Sequence, residues 1–104
     1  MALLFSTLLH ARDPAHNHHR AYRVEIGRDL LGDCMVEVTF GRIGAAGRTL
    51  RFFASDEAEA RRIARTCLRR RNSAPRRIGV AYRSLSLFDP HGWAEATGAA
   101  AETG

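Results

Sequence analysis

Apolar and polar residues alternate over several short stretches, which is the pattern of half-buried β-strands. The apolar run at residues 2–9 predicts a first strand, and alternation at residues 22–26 and 34–43 predicts two more. The short connection between the last two makes them antiparallel neighbours. Alternation at residues 48–54 predicts a fourth strand, and a short alternating segment at residues 78–84 predicts a last one.

Between these last two strands the apolar residues change to helical spacing. Ser55 is the expected N-cap, and acidic residues follow it where the positive end of a helix favours them. The apolar residues that form one helical stripe are Ala60, Ile63, Ala64, Cys67 and Leu68. The pattern as a whole predicts an α+β fold, an antiparallel β-sheet of about four to five strands with one α-helix packed across a face.

The length of 104 residues fits one small domain. We expect this domain to span residues 1–85 and a mobile tail, rich in alanine and glycine, to span residues 86–104, with Trp93 packing back on the domain. The apolar start has no basic n-region and is too short to span a bilayer, so we interpret it as a strand and expect a cytoplasmic protein without membrane association. Cys34 and Cys67 have no paired spacing and fit a reducing compartment.

Charge narrows the classes of partner. The formal net charge is +5, and all 16 basic side chains are arginine. Arginine suits phosphate or carboxylate recognition, although codon bias in a GC-rich genome would also produce this preference. A small basic domain favours nucleic acid or another polyanion as its partner.

The residues with acid–base chemistry are few. Asp13, His16, His18 and His19 lie close together in the sequence, but no nucleophile, metal-ligand set or phosphate loop accompanies them. We interpret the histidines as part of a polar loop. We expect neither a metal nor a cofactor, and no enzymatic activity.

The tripeptide Phe40-Gly41-Arg42 closes the third predicted strand. It combines a flat ring, a glycine that permits close backbone approach, and a planar cation, which together suit a base, a sugar or a phosphate. It also suits the end of an ordinary strand that enters a hairpin. Phe40 shares a strand face with Val36 and Val38, so its ring either fills the core or contacts a ligand.

With these residues placed, the chain resembles a WGR domain, a module named after a Trp-Gly-Arg tripeptide. The resemblance covers residues 4–84. It rests on several segments. These are the family's entry strand at residues 17–26, the loop at 31–33, the signature at 40–44 with Gly47 after it, the segment 53–55 before the helix, and the arginines at 69–71. Phe40 stands where the family has tryptophan.

The resemblance implies the same sheet-and-helix fold and a function. In poly(ADP-ribose) polymerases the WGR domain binds DNA and relays signals between domains. Its tryptophan stacks on the nucleotide at a DNA end, and its arginine helps to communicate with neighbouring domains. The chain is similar to short stand-alone bacterial WGR proteins, and 104 residues leave no room for an ADP-ribosyltransferase domain.

We therefore expect a non-enzymatic nucleic-acid-binding module, with DNA as the expected ligand. Phe40 would stack and arginines would contact phosphates. The candidate site residues are Phe40, Gly41, Arg42, Arg69, Arg70, Arg71, Arg76 and Arg77. The alternatives are a protein-interaction adaptor that docks an acidic partner and, for the arginine cluster, a solvated helix face.

Overall fold

The computed structural model describes residues 2–72 and 82–94. Its antiparallel strands form one five-stranded sheet, and one helix packs across a face, which confirms the predicted α+β fold. The elements are β1 (Ala2–Asp13), a 3-10 turn (Pro14–His16), β2 (His18–Arg28), β3 (Cys34–Arg42), β4 (Arg48–Ala54), α1 (Glu57–Asn72) and β5 (Arg83–Phe88). The strand order is β4-β3-β2-β1-β5, so β4 and β5 are the two edges.

The core lies between α1 and the face of the sheet that it covers. Ala60, Ala64 and Leu68 are buried and Ile63 and Cys67 are partly buried, which confirms the predicted helical stripe. The sheet side of the core contains Phe5, Leu9, Val24, Ile26 and Val36, all fully buried. Alternate residues of each strand point to the same face, and this is why the apolar half of the pattern meets the helix.

The β1–β2 hairpin is longer than predicted. The strands pair as far as Asp13 opposite His18, and Asn17 closes the turn with φ 56°. His18 and His19 therefore lie in β2, and the prediction of a loop there was wrong. The ladder continues because backbone hydrogen bonding needs no apolar side chain, and this part of the hairpin is largely exposed, so alternation does not reveal it.

The last strand lies further along the chain than predicted. The segment 78–84 is described only from residue 82, and the observed strand β5 runs from Arg83 to Phe88. All six of its side chains are exposed on the sheet edge. An edge strand exposed on both faces has no buried side to produce alternation, so the sequence pattern misplaced it.

The helix begins one residue later than predicted. Asp56, not Ser55, is the cap, since its side chain accepts a 2.8 Å hydrogen bond from the backbone N–H of Glu59. The Glu59 carboxylate in turn accepts a 3.0 Å bond from the N–H of Ser55. This reciprocal pair resembles a capping box shifted by one residue. Within the described residues, no helix combines the length and apolarity needed to cross a membrane.

Trp93 packs back on the domain, as predicted. It is 9% exposed, belongs to the hydrophobic core, and has the Arg61 guanidinium 5.1 Å from its ring centre. The Asp89 carboxylate fixes this turn by accepting hydrogen bonds from the N–H groups of Trp93 and Ala94, at 2.7 and 2.9 Å. The predicted tail at residues 86–104 thus includes the end of the last strand and the turn that holds Trp93. Residues 95–104 lie outside the described part of the chain.

Candidate functional site

Gly41, the central residue of the tripeptide, packs against a second glycine in the same hairpin. A Cβ atom added to Gly41 would lie 2.8 Å from the Cα of Gly47, and one added to Gly47 would lie 2.7 Å from the Phe40 carbonyl oxygen. Both distances are too short for any residue with a side chain. The close backbone approach expected of Gly41 is therefore an approach to its own hairpin.

The hairpin turn itself is built around a glycine. The carbonyl of Arg42 accepts a 3.0 Å hydrogen bond from the N–H of Ala45, and Gly44 lies between them with φ +87°. A positive φ at the third position of a β-turn favours glycine strongly. Residues 41–47 thus fold tightly back and bring the start of β4 beside the end of β3.

Phe40 combines the two environments that the sequence left open. Its ring is partly buried and packs against the core, opposite Tyr22, with the two ring centres 6.4 Å apart. The same residue lines an open groove between α1 and the β3–β4 side of the sheet. Its ring therefore has both a structural contact and a surface that a ligand could reach.

The groove has a volume of about 500 Å³ and an apolar floor. The two helix-end arginines Arg70 and Arg71 lie on its lining together with Phe40. The sequence placed these three residues in one site, and the structure brings them together. The remaining lining residues are Tyr22, Val38, Leu50, Phe52, Ile63, Thr66 and Cys67.

Arg71 is held by aromatic rings. Its guanidinium lies 4.2 Å from the Tyr22 ring centre and 6.0 Å from that of Tyr82, a cation–π arrangement. Its Nε is buried without a hydrogen-bond acceptor among the described residues. Burial raises the pKa of Tyr22 to about 12, Cys67 adds to this increase, and Arg71 opposes it. Arg71 therefore joins the end of α1 to the sheet.

Three further arginines lie at the same end of the sheet. Arg20 is directly opposite Arg42, and Arg48 is directly opposite Phe40. Strand alternation places all three on the face that carries Phe40 and the helix. We call this region the arginine end: Arg20, Arg42, Arg48, Arg69, Arg70 and Arg71. Arg20 and Arg48 were missed from the sequence, and the signal that would have found them is the antiparallel register.

Few carboxylates balance this charge. Arg42 donates a 3.3 Å hydrogen bond to the side-chain oxygen of Asn17, which is neutral. Among residues 2–72 and 82–94, ion pairs to carboxylates do not involve Arg20, Arg42, Arg48 or Arg69. Arg76 and Arg77, which the sequence added to the site, lie outside the described residues, so their place at this end stays a prediction.

The acid–base candidates form a local turn contact. His16 Nδ1 lies 2.6 Å from Asp13 Oδ2, and this hydrogen bond lowers the pKa of the Asp13 carboxyl. Asp13 precedes the 3-10 turn and His16 is its last residue, and the His16 side chain is largely exposed. In the described part of the chain, no three His, Cys, Asp or Glu side chains are grouped so that they could hold a metal ion.

Comparison with known families agrees with this fold and signature. The family model for the WGR domain matches residues 5–74. Because this match covers most of the chain, the protein belongs to the WGR domain family, which confirms the resemblance. WGR domains are binding modules and not catalytic domains. Searches of curated proteins and of solved structures found no match.

Proposed function

We propose that this protein is a non-enzymatic nucleic-acid-binding module that uses the arginine end to hold the phosphates of DNA. The observation that carries the proposal is the clustering of Arg20, Arg42 and Arg48 around Phe40 without carboxylate partners among the described residues. Like charges on directly opposed strand positions destabilise a sheet. An anionic ligand removes that repulsion when it binds.

The arrangement suits the phosphate backbone more than base edges. Exposed arginines at the end of a sheet present forked donors to phosphate oxygens, and such contacts are insensitive to sequence. Phe40 offers one ring for stacking, with less area than the family's tryptophan and no indole N–H. The ligand is therefore expected to bind through charge first and stacking second, and Arg76 and Arg77 would extend the same surface.

The two free cysteines support a reducing compartment, and we propose a cytoplasmic site of action. Cys34 is buried and Cys67 is partly buried, and neither forms a disulfide. Unpaired thiols of this kind fit a protein that meets nucleic acid inside the cell.

The test is fluorescence anisotropy with short labelled duplexes, blunt-ended or closed by hairpins, at about 50 and about 200 mM salt. Arg42→Glu with Arg48→Glu should weaken binding about tenfold or more and reduce the salt dependence. The matched control is Arg51→Glu with Arg62→Glu, two exposed positions outside the arginine end, since Arg51 lies on the opposite face of the sheet and Arg62 in the first half of α1. Both double variants change the net charge equally, so a difference in their affinity for DNA shows that the position of the arginines matters.

Two outcomes would contradict the proposal. One is the lack of measurable binding by the wild-type protein at the lower salt concentration. The other is an equal loss in both double variants, which would make binding a consequence of net charge alone. Tighter binding to open than to closed duplexes would identify the ends as the preferred target.

The apolar groove favours a second candidate, an adaptor for an acidic protein. Its floor could take an apolar side chain of the partner while Arg70 and Arg71 face the acidic groups beside it. Capture of such a partner after nuclease treatment, lost on Arg42→Ala, would favour this candidate over nucleic acid.

A further inference from the structure

The edge strand β4 is the longest unprotected strand surface of the described chain. Its side chains are exposed at every position but Ala54, and it pairs with β3 over seven residues without a register shift. Among residues 2–72 and 82–94, no strand pairs with its other side. A regular edge of this kind presents unpaired N–H and C=O groups that another strand can join.

Large apolar side chains accompany this edge on both faces of the sheet. Leu50 and Phe52, on the helix side, are 39% and 38% exposed, and Phe53, on the opposite side, is 70% exposed. β-Branched and aromatic residues favour strands, and this segment contains no proline. The edge is therefore apolar as well as open.

The opposite edge also exposes large apolar side chains, at Leu85, Leu87 and Phe88, but it is irregular. β5 pairs with β1 through a register shift between Leu8 and Leu9. An irregularity of this kind bends an edge and reduces its ability to pair further. Comparison of the two edges identifies β4 as the one suited to accept a strand.

We propose that a second copy of this chain pairs with β4 antiparallel, so that two sheets join into one across a two-fold axis at Phe52. Residues that lie directly opposite each other in an antiparallel pair point to the same face of the sheet. Neighbours along a strand point to opposite faces, so the two-fold axis must pass beside a residue and not between two residues. Centring on Arg51 would oppose two arginines. Centring on Phe52 sets Leu50 opposite Ala54 of the second copy and Arg51 opposite Phe53.

Charge complementarity supports this register. It brings Arg48, at the start of β4, to the level of Asp56 of the second copy. The same register makes the two α1 helices antiparallel. If each helix lies over its β3, the helices are about 14 Å apart, because three strand spacings separate the two β3 strands. The acidic start of one helix, with Glu57 and Glu59, then faces the basic end of the other, which begins at Arg69.

The pairing also changes the groove. Leu50 and Phe52 lie on its open side, toward the sheet edge. In the proposed dimer, Phe52 of the second copy approaches that side and covers apolar surface that is exposed in the monomer. Each groove is thereby closed in part by the other copy, and the two arginine ends lie at opposite ends of the joined sheet.

The experiment measures the mass of the full chain, after nuclease treatment, by sedimentation equilibrium from about 1 to about 500 µM. Wild-type protein should dimerise, and Phe53→Lys should raise the dimer dissociation constant about tenfold or more. Leu85→Lys, an equally large change on the β5 edge, is the matched control and should leave it unchanged. Circular dichroism melts establish that both variants are folded.

A cross-link tests the register separately. Under mild oxidation Phe52→Cys should form a disulfide-linked dimer, because residue 52 faces itself across the axis. Phe53→Cys should not, because residue 53 faces residue 51, and wild-type protein gives the background from Cys34 and Cys67. A monomer at every concentration, a dimer broken by Leu85→Lys, or cross-linking by Phe53→Cys alone would overturn the proposal.

Discussion

The two ends of the helix-covered face are built from the same elements but treat charge in opposite ways. At one end β2 stops, β4 stops and α1 begins; we call it the capped end, formed by Arg28, Asp29, Asp56 and Glu57. At the other, the arginine end, β2 and β4 begin and α1 stops. The capped end satisfies its charges within the chain, whereas the arginine end leaves most of its cations without carboxylate partners among the described residues.

At the capped end each charged side chain completes local structure. The Asp29 carboxylate accepts hydrogen bonds from the N–H groups of Leu31 and Asp33, at 2.9 and 3.0 Å. Arg28 pairs with Glu57 and so ties the end of β2 to the start of α1. The charges of these four residues are thus engaged within the chain. Their contribution is to position the elements.

At the arginine end, glycine contacts take over this structural role. Gly41 and Gly47 hold the β3–β4 hairpin, and Arg71 joins α1 to Tyr22. The other arginines are not needed for those joints. The comparison teaches that the family signature has two separable parts, a glycine that shapes the hairpin and side chains around it that are exposed to solvent.

The largest expected effect is a loss of stability that tests the structural part of the signature, Gly41. Gly41→Ala should destabilise the protein by about 2–3 kcal/mol, because the new Cβ collides with the backbone of Gly47 and the hairpin must move. Gly32→Ala at the capped end has open space but a φ of +86°, and should cost about 1 kcal/mol. Urea unfolding of both variants measures the difference. A smaller loss for Gly41→Ala than for Gly32→Ala would contradict the steric explanation.

A smaller effect tests the capped end. Asp56→Ala should cost about 1 kcal/mol of stability, because the N–H of Glu59 loses its side-chain acceptor at the helix start. Asp33→Ala removes an exposed carboxylate nearby and should change stability by less than about 0.5 kcal/mol. Equal melting temperatures for the two variants would show that Asp56 does not cap the helix in solution.

The last effect is absent at neutral pH and appears only at high pH, at the arginine end. The folded-state pKa of Tyr22 is raised to about 12, above its ordinary value of 10. The folded protein therefore holds the phenol proton of Tyr22 more tightly than the unfolded chain does. The contribution of this proton to the free energy of unfolding is intact below pH 10 and is lost as pH rises through 12.

Absorbance of tyrosinate measures this directly, and Tyr22→Phe identifies which of the two tyrosines is responsible. Arg71→Met should raise the pKa of Tyr22 further, since the guanidinium favours the phenolate. A lower pKa in that variant would contradict the cation–π geometry.

Burial decides how much of the fold could be predicted from the sequence. Strands buried on one face, such as those that carry Val24 and Val38, produce alternation, and the stripe of Ala60, Ala64 and Leu68 produces helical spacing. Both were predicted because a local period records which side meets the core. The signature in residues 40–44 likewise indicated the family, together with the other segments that match it.

Only the tertiary structure decided the rest. The position of β5, and the arginines Arg20 and Arg48 beside Phe40, depend on which strands pair and in what register, and register is a relation between distant residues. Phe40 was predicted as either core or contact surface, and the fold packs its ring partly against the core while the residue also lines the groove. Strand pairing brings Arg20 and Arg48 next to the Phe40 ring. No periodicity along the chain predicts this proximity.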